Sequence, residues 1–195
     1  MKKSVLIIAP EYFPTHELQA PLQELDIEVT VSTSDAAAFT KAADLVVYFC
    51  TEEEGLKFNK LAVKNGLTWI PVTFSHSIGR IGPLVIPNQT ACYKCFTMRM
   101  RSNGVPELKA SSKLFNLSFS LFAKIVAIEI VKWFTKEQRS FSSNLINHMI
   151  EFNAFTLEGV KGPVHYVPTC PDCGIQAKRN PELQFLREKS TVMNS

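Results

Sequence analysis

The sequence predicts an α/β fold with a mostly parallel, Rossmann-like sheet, and three observations lead to it. Residues 4–9 (SVLIIA) and 44–50 (DLVVYFC) are continuous apolar runs, as expected of strands buried on both faces. Helical patterns alternate with these and other strand candidates, which favours parallel pairing with helices on both faces. The chain has 195 residues, of which 46% are hydrophobic and 20% charged, so we expect a single folded domain.

The first half of the chain supplies four predicted strands and three predicted helices. In order, these are a strand at residues 4–9, a helix at 15–25, a strand at 27–32, a short helix at 35–43, a strand at 44–50, a helix at 52–66 and a strand at 67–74. Leu18, Leu22 and Leu25 form the apolar face predicted for the first helix. Leu56, Leu61 and Val63 form the apolar face predicted for the third helix.

The second half has fewer strand signals. Residues 78–90 are rich in glycine and proline, and the stretch after the first cysteine pair is polar. A long, mostly buried helix is predicted near residues 112–136. The water-facing stripe predicted for it consists of Lys113, Asn116, Ser120, Lys124 and Ala127. We expect one domain over residues 1–174 and a charged tail over residues 175–195.

Charge and composition exclude several classes of partner. The 21 basic and 18 acidic residues leave a net charge of +3, too small an excess to indicate nucleic acid. Lys124, Glu129 and Lys132 interrupt the longest apolar stretch, so we do not expect a membrane-spanning helix. The N-terminus has no signal-peptide pattern, which favours a cytoplasmic location. In that reducing compartment, Cys-x-x-Cys motifs are more often metal ligands or redox centres than disulfides.

Four of the five cysteines form two Cys-x-x-Cys motifs, Cys92 with Cys95 and Cys170 with Cys173. Two such motifs supply the four tetrahedral ligands that zinc prefers, so we predict a structural Zn²⁺ site. A closed shell of four thiolates leaves no position for water or substrate, and this metal would not catalyse. The alternatives are a dithiol redox pair and unpaired buried thiols. A helix that opens on the cysteines would favour redox use, whereas the proline and glycine around the second motif favour zinc.

Other candidate residues carry weaker signals. Cys50, at the end of a predicted buried strand, is expected to be a small core residue. His76 and Arg80 lie in a glycine-containing segment after a strand, predicted to be a loop, where α/β proteins often place ligand sites. A basic cluster beside the first cysteine motif consists of Lys94, Arg99 and Arg101. This cluster is either a solvated edge or a contact for an acidic partner surface.

One segment and the order of the elements resemble a known family. Residues 82–103 (GPLVIPNQTACYKCFTMRMRSN), with DLVVYFC before them and AIEIVKWFT and PTCPDCG after them, resemble the ThiF-like fold of the ubiquitin-activating enzyme superfamily. More narrowly, they look like the ThiF-like component of azoline-forming cyclodehydratases, which mature thiazole/oxazole-modified peptides such as bacteriocins. The resemblance covers residues 44–174 well. It implies that the two cysteine motifs hold a structural zinc.

The nucleotide site of an adenylating family member is missing from the sequence. Such a member needs a glycine-rich turn after its first strand, and here that turn is IIAPEYFPTHE. Active relatives also carry an aspartate after the strand that corresponds to DLVVYFC. This chain has at that place Tyr48, Phe49, Cys50 and Thr51. We interpret Glu52, Glu53 and Glu54 as the acidic first turn of a helix, and we therefore predict no catalytic and no nucleotide-binding residues.

The resemblance implies a non-catalytic accessory subunit. Such a protein supports presentation of a precursor peptide to a YcaO-type partner and activates that partner, which uses ATP to cyclise cysteine, serine or threonine side chains. The winged-helix module that binds the leader in many such proteins does not precede the first strand here. Leader recognition is therefore expected elsewhere, for example on a separate polypeptide, and homodimer formation is a further expectation. The alternative is an ATP-dependent adenylating enzyme with an atypical nucleotide site.

Overall fold

The computed structural model describes residues 2–40, 42–75, 77–105, 115–135 and 143–174. In chain order the elements are β1 (Ser4–Ile8), α1 (His16–Gln23), β2 (Glu28–Ser32), α2 (Ala37–Thr40), β3 (Leu45–Phe49), α3 (Glu52–Asn65), β4 (Trp69–Ser75), β5 (Ile78–Ile81), α4 (Tyr93–Ser102), α5 (Phe115–Phe134), β6 (His148–Asn153) and β7 (Glu158–Pro163). The predicted tail at residues 175–195 lies outside this part, so the division at residue 174 stays a prediction.

The seven strands form one sheet in the order β2-β1-β3-β4-β5-β6-β7. Strands β2, β1, β3 and β4 pair in parallel, which confirms the α/β fold with its Rossmann-like parallel core. Strands β4 to β7 are antiparallel neighbours. The change of direction begins at β5, because only residues 76 and 77 link it to β4 and so short a link permits only a hairpin.

Helices α1 and α5 cover one face of the sheet. Alternate residues of the parallel strands, such as Val5, Ile7 and Val47, point to this side and are at most 1% exposed. They pack in one cluster with Leu18 of α1 and Phe119 of α5. Only every second residue of a strand faces this side, because successive side chains point to opposite faces of the sheet.

Helix α3 and the four paired cysteines cover the opposite face. Leu6, Val46 and Trp69 point to this side and pack with Phe58 and Ala62 of α3. The cysteines of both motifs belong to the same buried cluster. The candidate metal site is therefore part of the hydrophobic core on this side of the sheet.

The predicted water-facing stripe of α5 is partly wrong. Lys124 is exposed as expected, but Ala127 is only 6% exposed, whereas Leu121 and Ile128 are 36% and 54% exposed. The helix turns residues 119, 123, 126, 127 and 130 toward the sheet and α1, so the position four residues after Lys124 faces water instead of the position three residues after it. Lys113 and the side chain of Asn116 lie outside the described residues.

Two leucines predicted to be buried are exposed. Leu25 follows the end of α1 and is 56% exposed, and Leu61 on α3 is 45% exposed because Phe58 and Ala62 form the buried face of that helix. Among the helices of the described part, none is both long and apolar enough to cross a bilayer.

Candidate functional site

The two cysteine motifs reach the site from different parts of the chain. Cys92 is the N-cap of α4, with an extended backbone, and Cys95 lies in the first turn of that helix. The second motif follows β7, where the Cys170 amide donates to the carbonyl of Val167 and the Gly174 amide donates to the carbonyl of Cys170. These bonds fold the segment into a tight turn that directs both of its thiols inward. The polar pattern after the first motif did not indicate a helix, and α4 was therefore not predicted.

All four sulfur atoms lie together. The Sγ atoms of Cys92 and Cys170 are 3.6 Å apart, and those of Cys95 and Cys173 are 3.4 Å apart. The two sulfurs of the first motif are 3.9 Å apart, and all four lie within 4.8 Å of one another. The four residues are buried, with exposed fractions between 0% and 6%.

This geometry fits a single metal ion. A tetrahedral zinc with Zn–S bonds of about 2.3 Å separates its sulfurs by about 3.8 Å, close to the separations found here. The same distances exceed a disulfide bond, and the described cysteines form none. Helix α4 does open on Cys92, the feature that would favour a redox pair, but a redox pair has no need of a second pair at this distance. The four cysteines are therefore placed to hold one ion.

Hydrogen bonds support the site from the segment that leads into the second motif. The Val167 amide donates to Cys95 Sγ at 3.3 Å, which favours the thiolate form that a metal requires. The Tyr166 hydroxyl donates to the carbonyl of Cys173 at 2.9 Å. Burial, followed by the charges of the nearby cysteines, raises the pKa of Tyr166 to about 12, so this donor keeps its proton at neutral pH.

Two members of the predicted basic cluster make internal contacts. Arg99 donates to the carbonyls of His165 and Tyr166, both at 3.2 Å, and so fastens the same segment to α4. Arg101 forms an ion pair with Glu52 at 2.7 Å, which ties α4 to the start of α3. These contacts give both arginines a role in holding the elements around the cysteines.

The carboxyl edge of the parallel strands is a second place where this type of fold can bind a ligand. Strand β1 lies between β2 and β3, so the sheet order reverses there, and α/β proteins bind ligands beyond the strand ends at such a point. Here Phe13 fills that region. Its ring centroid lies 5.3 Å from that of Phe49, 5.3 Å from that of Phe119 and 6.4 Å from that of Phe74.

The turn between β1 and α1 uses three of its backbone amides internally. The amide of Phe13 donates to the carbonyl of Pro10, that of Thr15 to Phe13, and that of Glu17 to Pro14. The two prolines have no amide hydrogen to offer. Three amides of this turn are thus bonded within it and two of its residues have none, which leaves fewer donors than a glycine-rich turn uses to hold phosphate.

The acidic residues after β3 also have partners within the protein. They form the first turn of α3, as predicted. Glu54 forms a capping box with Thr51 at the start of α3. Glu53 pairs with Lys57 at 2.7 Å, and Glu52 pairs with Arg101. Each carboxylate in this turn therefore has a partner within the protein.

Cys50 lies beside these residues, half-buried, and packs against the hydrophobic core on the α3 side of the sheet. Burial and then the Glu54 carboxylate raise the pKa of its thiol. The thiol therefore stays protonated at neutral pH and is a poor nucleophile.

The segment around Arg80 is not a ligand-binding loop. Arg80 lies within β5, is 7% exposed and pairs with Glu151 of the neighbouring strand β6 at 2.6 Å. The prediction of a loop was wrong because β5 is stabilised by pairing with β4 and β6 rather than by its own residue pattern. His76 lies outside the described residues.

Comparisons with known proteins identify the class of protein. A model of the ThiF family matches residues 16–172, so the chain belongs to the ThiF family. A search of curated proteins gave no significant match.

Solved structures share the fold. The heterocyclase TruD is 23% identical with a TM-score of 0.66, and the match covers 91% of this chain and 28% of that chain. A heterocyclase in complex with substrate and cofactor is 21% identical with a TM-score of 0.66, covering 89% of this chain and 26% of that chain. Escherichia coli MccB with ATP is 17% identical with a TM-score of 0.60, covering 88% and 59%. The chain thus spans less than two thirds of each of these proteins.

Proposed function

We propose that this chain is a zinc-binding ThiF-family accessory subunit without an adenylation activity of its own. It supports presentation of a precursor peptide to a YcaO-type cyclodehydratase and activates that partner during maturation of azole-containing peptides. The observation that carries the proposal is the aromatic cluster around Phe13, which lies at the sheet edge where an α/β protein binds its nucleotide.

The contacts around this edge support the absence of ATP chemistry. A triphosphate needs free backbone amides, and its magnesium needs free carboxylates. The amides of Phe13, Thr15 and Glu17 are bonded within their own turn, and the glutamates after β3 are paired with neighbouring groups. A protein with these contacts is suited to serve an ATP-using partner rather than to bind ATP itself.

We also propose that the ion held by Cys92, Cys95, Cys170 and Cys173 is Zn²⁺ with a structural role. When bound, zinc would neutralise the thiolates and link segments that lie 78 residues apart in sequence. Four sulfur ligands complete a tetrahedral shell and leave no position for a reacting water. The chain's own contribution is to bury the sulfurs and to donate the Val167 amide to Cys95.

The names of the structural relatives support a link to peptide maturation. TruD is a heterocyclase, and MccB has been solved together with MccA. The region matched here is 28% of the TruD chain, and we propose that the cyclisation chemistry belongs to the YcaO-type partner rather than to these residues.

Reconstitution tests the proposal. A cognate YcaO protein, its precursor peptide and ATP are combined with and without the purified chain, and loss of water from the peptide is followed by mass spectrometry. We expect the initial rate to rise several-fold when the chain is added. Cys170→Ser should abolish this increase because it removes a metal ligand, whereas Cys50→Ser, outside the metal cluster, should retain it.

Equal rates with and without the chain would show that it is not an accessory subunit of that enzyme. Exchange of pyrophosphate into ATP is measured in parallel with the chain and peptide alone. Saturable exchange would favour the adenylating alternative.

A further inference from the structure

Asn59 is a buried polar residue on α3 that contacts both cysteine motifs. Its side chain is 0% exposed. Its carbonyl oxygen accepts a hydrogen bond from the Tyr93 amide at 3.0 Å, and its amide nitrogen donates to Oδ2 of Asp172 at 2.6 Å. Tyr93 lies between the two cysteines of the first motif, and Asp172 lies between those of the second. One side chain thus connects the two halves of the metal site.

The chemistry of these two bonds dictates the residue type. The backbone amide of Tyr93 needs an acceptor and the carboxylate of Asp172 needs a donor, and a carboxamide supplies both. Aspartate at position 59 would present a second carboxylate to Asp172, and leucine would leave both groups without a partner. Buried groups that lose their hydrogen bonds are strongly unfavourable.

The face of α3 that carries Asn59 is closely packed against α4. Glu52, Gly55 and Asn59 follow each other at helical spacing on this face. Glu52 pairs with Arg101, and a Cβ atom on Gly55 would lie 2.7 Å from Cε1 of Tyr93. Contacts of Glu52, Gly55 and Asn59 therefore hold α3 against α4, the helix that carries the first motif. Asn59 also contacts the second motif.

We propose that Asn59 is a positioning residue that holds the two cysteine motifs at the separation one metal ion requires. This inference rests on the proposed zinc site and adds that the affinity of the site depends on a helix that contributes no ligand. The effect is exerted through hydrogen bonds to the residues between the ligands, not through contact with the ion.

A donor–acceptor exchange tests the proposal. The zinc affinities of the wild type, Asn59→Asp, Asp172→Asn and the double variant are measured by competition with a chromophoric chelator. Asn59→Asp should weaken binding by about 10–100-fold, as expected for a residue behind the ligands. Asp172→Asn should stay within about threefold of the wild type, because its amide oxygen can still accept from Asn59.

The double variant is the decisive protein. Its new carboxylate at position 59 can accept both from the Tyr93 amide and from the new amide at position 172, so zinc affinity should return to within about threefold of the wild type. The cobalt(II) spectrum of each variant reports whether the tetrahedral sulfur geometry returns as well. Asn65→Asp is the matched control, since Asn65 is an exposed asparagine on the same helix whose side chain donates to the Leu61 carbonyl of its own helix.

The outcomes separate this inference from the proposed metal site. Wild-type affinity in Asn59→Asp, or a double variant no tighter than Asn59→Asp, would overturn the role of Asn59. A wild-type protein that binds neither zinc nor cobalt would overturn the metal site instead. If Asn59→Asp does not fold, a folded double variant with near-wild-type affinity supports the proposal, and an unfolded double variant contradicts it.

Discussion

Replacement of Phe13 by alanine tests whether the strand edge is filled as described. The substitution removes a ring that packs edge-on against Phe49 and Phe119, at centroid distances of 5.3 Å in both cases. A fully buried phenylalanine loses about 3–5 kcal/mol when it is truncated to alanine. Because Phe13 is only partly buried, we expect the free energy of unfolding to fall by about 2 kcal/mol.

Urea unfolding followed by tryptophan fluorescence measures this change, and the thermal midpoint should fall by roughly 4–8 °C for a chain of this length. Tyr12→Ala is the matched control, because Tyr12 is the neighbouring aromatic residue and is 72% exposed. It should change stability by no more than about 0.5 kcal/mol. If Phe13→Ala lowered the free energy of unfolding by no more than this, the Phe13 ring would not be packed at the carboxyl edge of the strands as described.

Three further predictions concern the cysteines. Cys170→Ser, or removal of metal with a chelator, should lower the thermal midpoint and eliminate bound zinc, because binding to the folded state alone stabilises it. Gly174→Ala should weaken metal binding, because its Cβ would lie 2.6 Å from the carbonyl oxygen of Pro168. Alkylation of Cys50 should be slow at neutral pH and accelerate only above the ordinary thiol pKa, because burial raises the pKa of this thiol in the folded protein. Since the folded-state pKa is the higher one, the stability that Cys50 contributes is complete below the unfolded pKa and is lost as the pH rises through the folded one.

Each of these has a measurement and an opposing outcome. For Cys170→Ser, bound zinc is measured by elemental analysis and the midpoint by thermal denaturation. Stoichiometric zinc or a wild-type midpoint would contradict the prediction. Chelator competition decides the second, with wild-type affinity in Gly174→Ala as the contrary result. Mass spectrometry of the folded, zinc-loaded protein decides the third, and Cys50 labelling at neutral pH as fast as that of a free thiol would contradict it.

The parallel core could be predicted because its signal is local. Strands β1, β3 and β4 are buried on both faces, so each forms a continuous apolar run that the sequence displays directly. The cysteine cluster could be predicted for a related reason, since the spacing within each motif brings two thiols together whatever the rest of the fold does.

The antiparallel half could not be predicted because its stabilising contacts are non-local. Gly79 suggested a loop, yet it lies in β5, where a Cβ atom would come within 2.5 Å of the Phe122 ring. The glycine marks close packing rather than a turn. Asn59 gave no signal either, because its partners lie 34 and 113 residues away in the sequence. A single asparagine in a helix pattern does not show which distant groups it will meet.

Nucleotide binding tests the central proposal most directly. The zinc-loaded chain and its Phe13→Ala variant are titrated with ATP and Mg²⁺ by isothermal calorimetry. We predict no saturable heat for either protein, because removal of the ring leaves the amides of residues 13, 15 and 17 bonded within the turn and its two prolines without donors. A saturable ATP isotherm for the wild-type chain would contradict the proposal that this ThiF-family protein leaves the use of ATP to a partner.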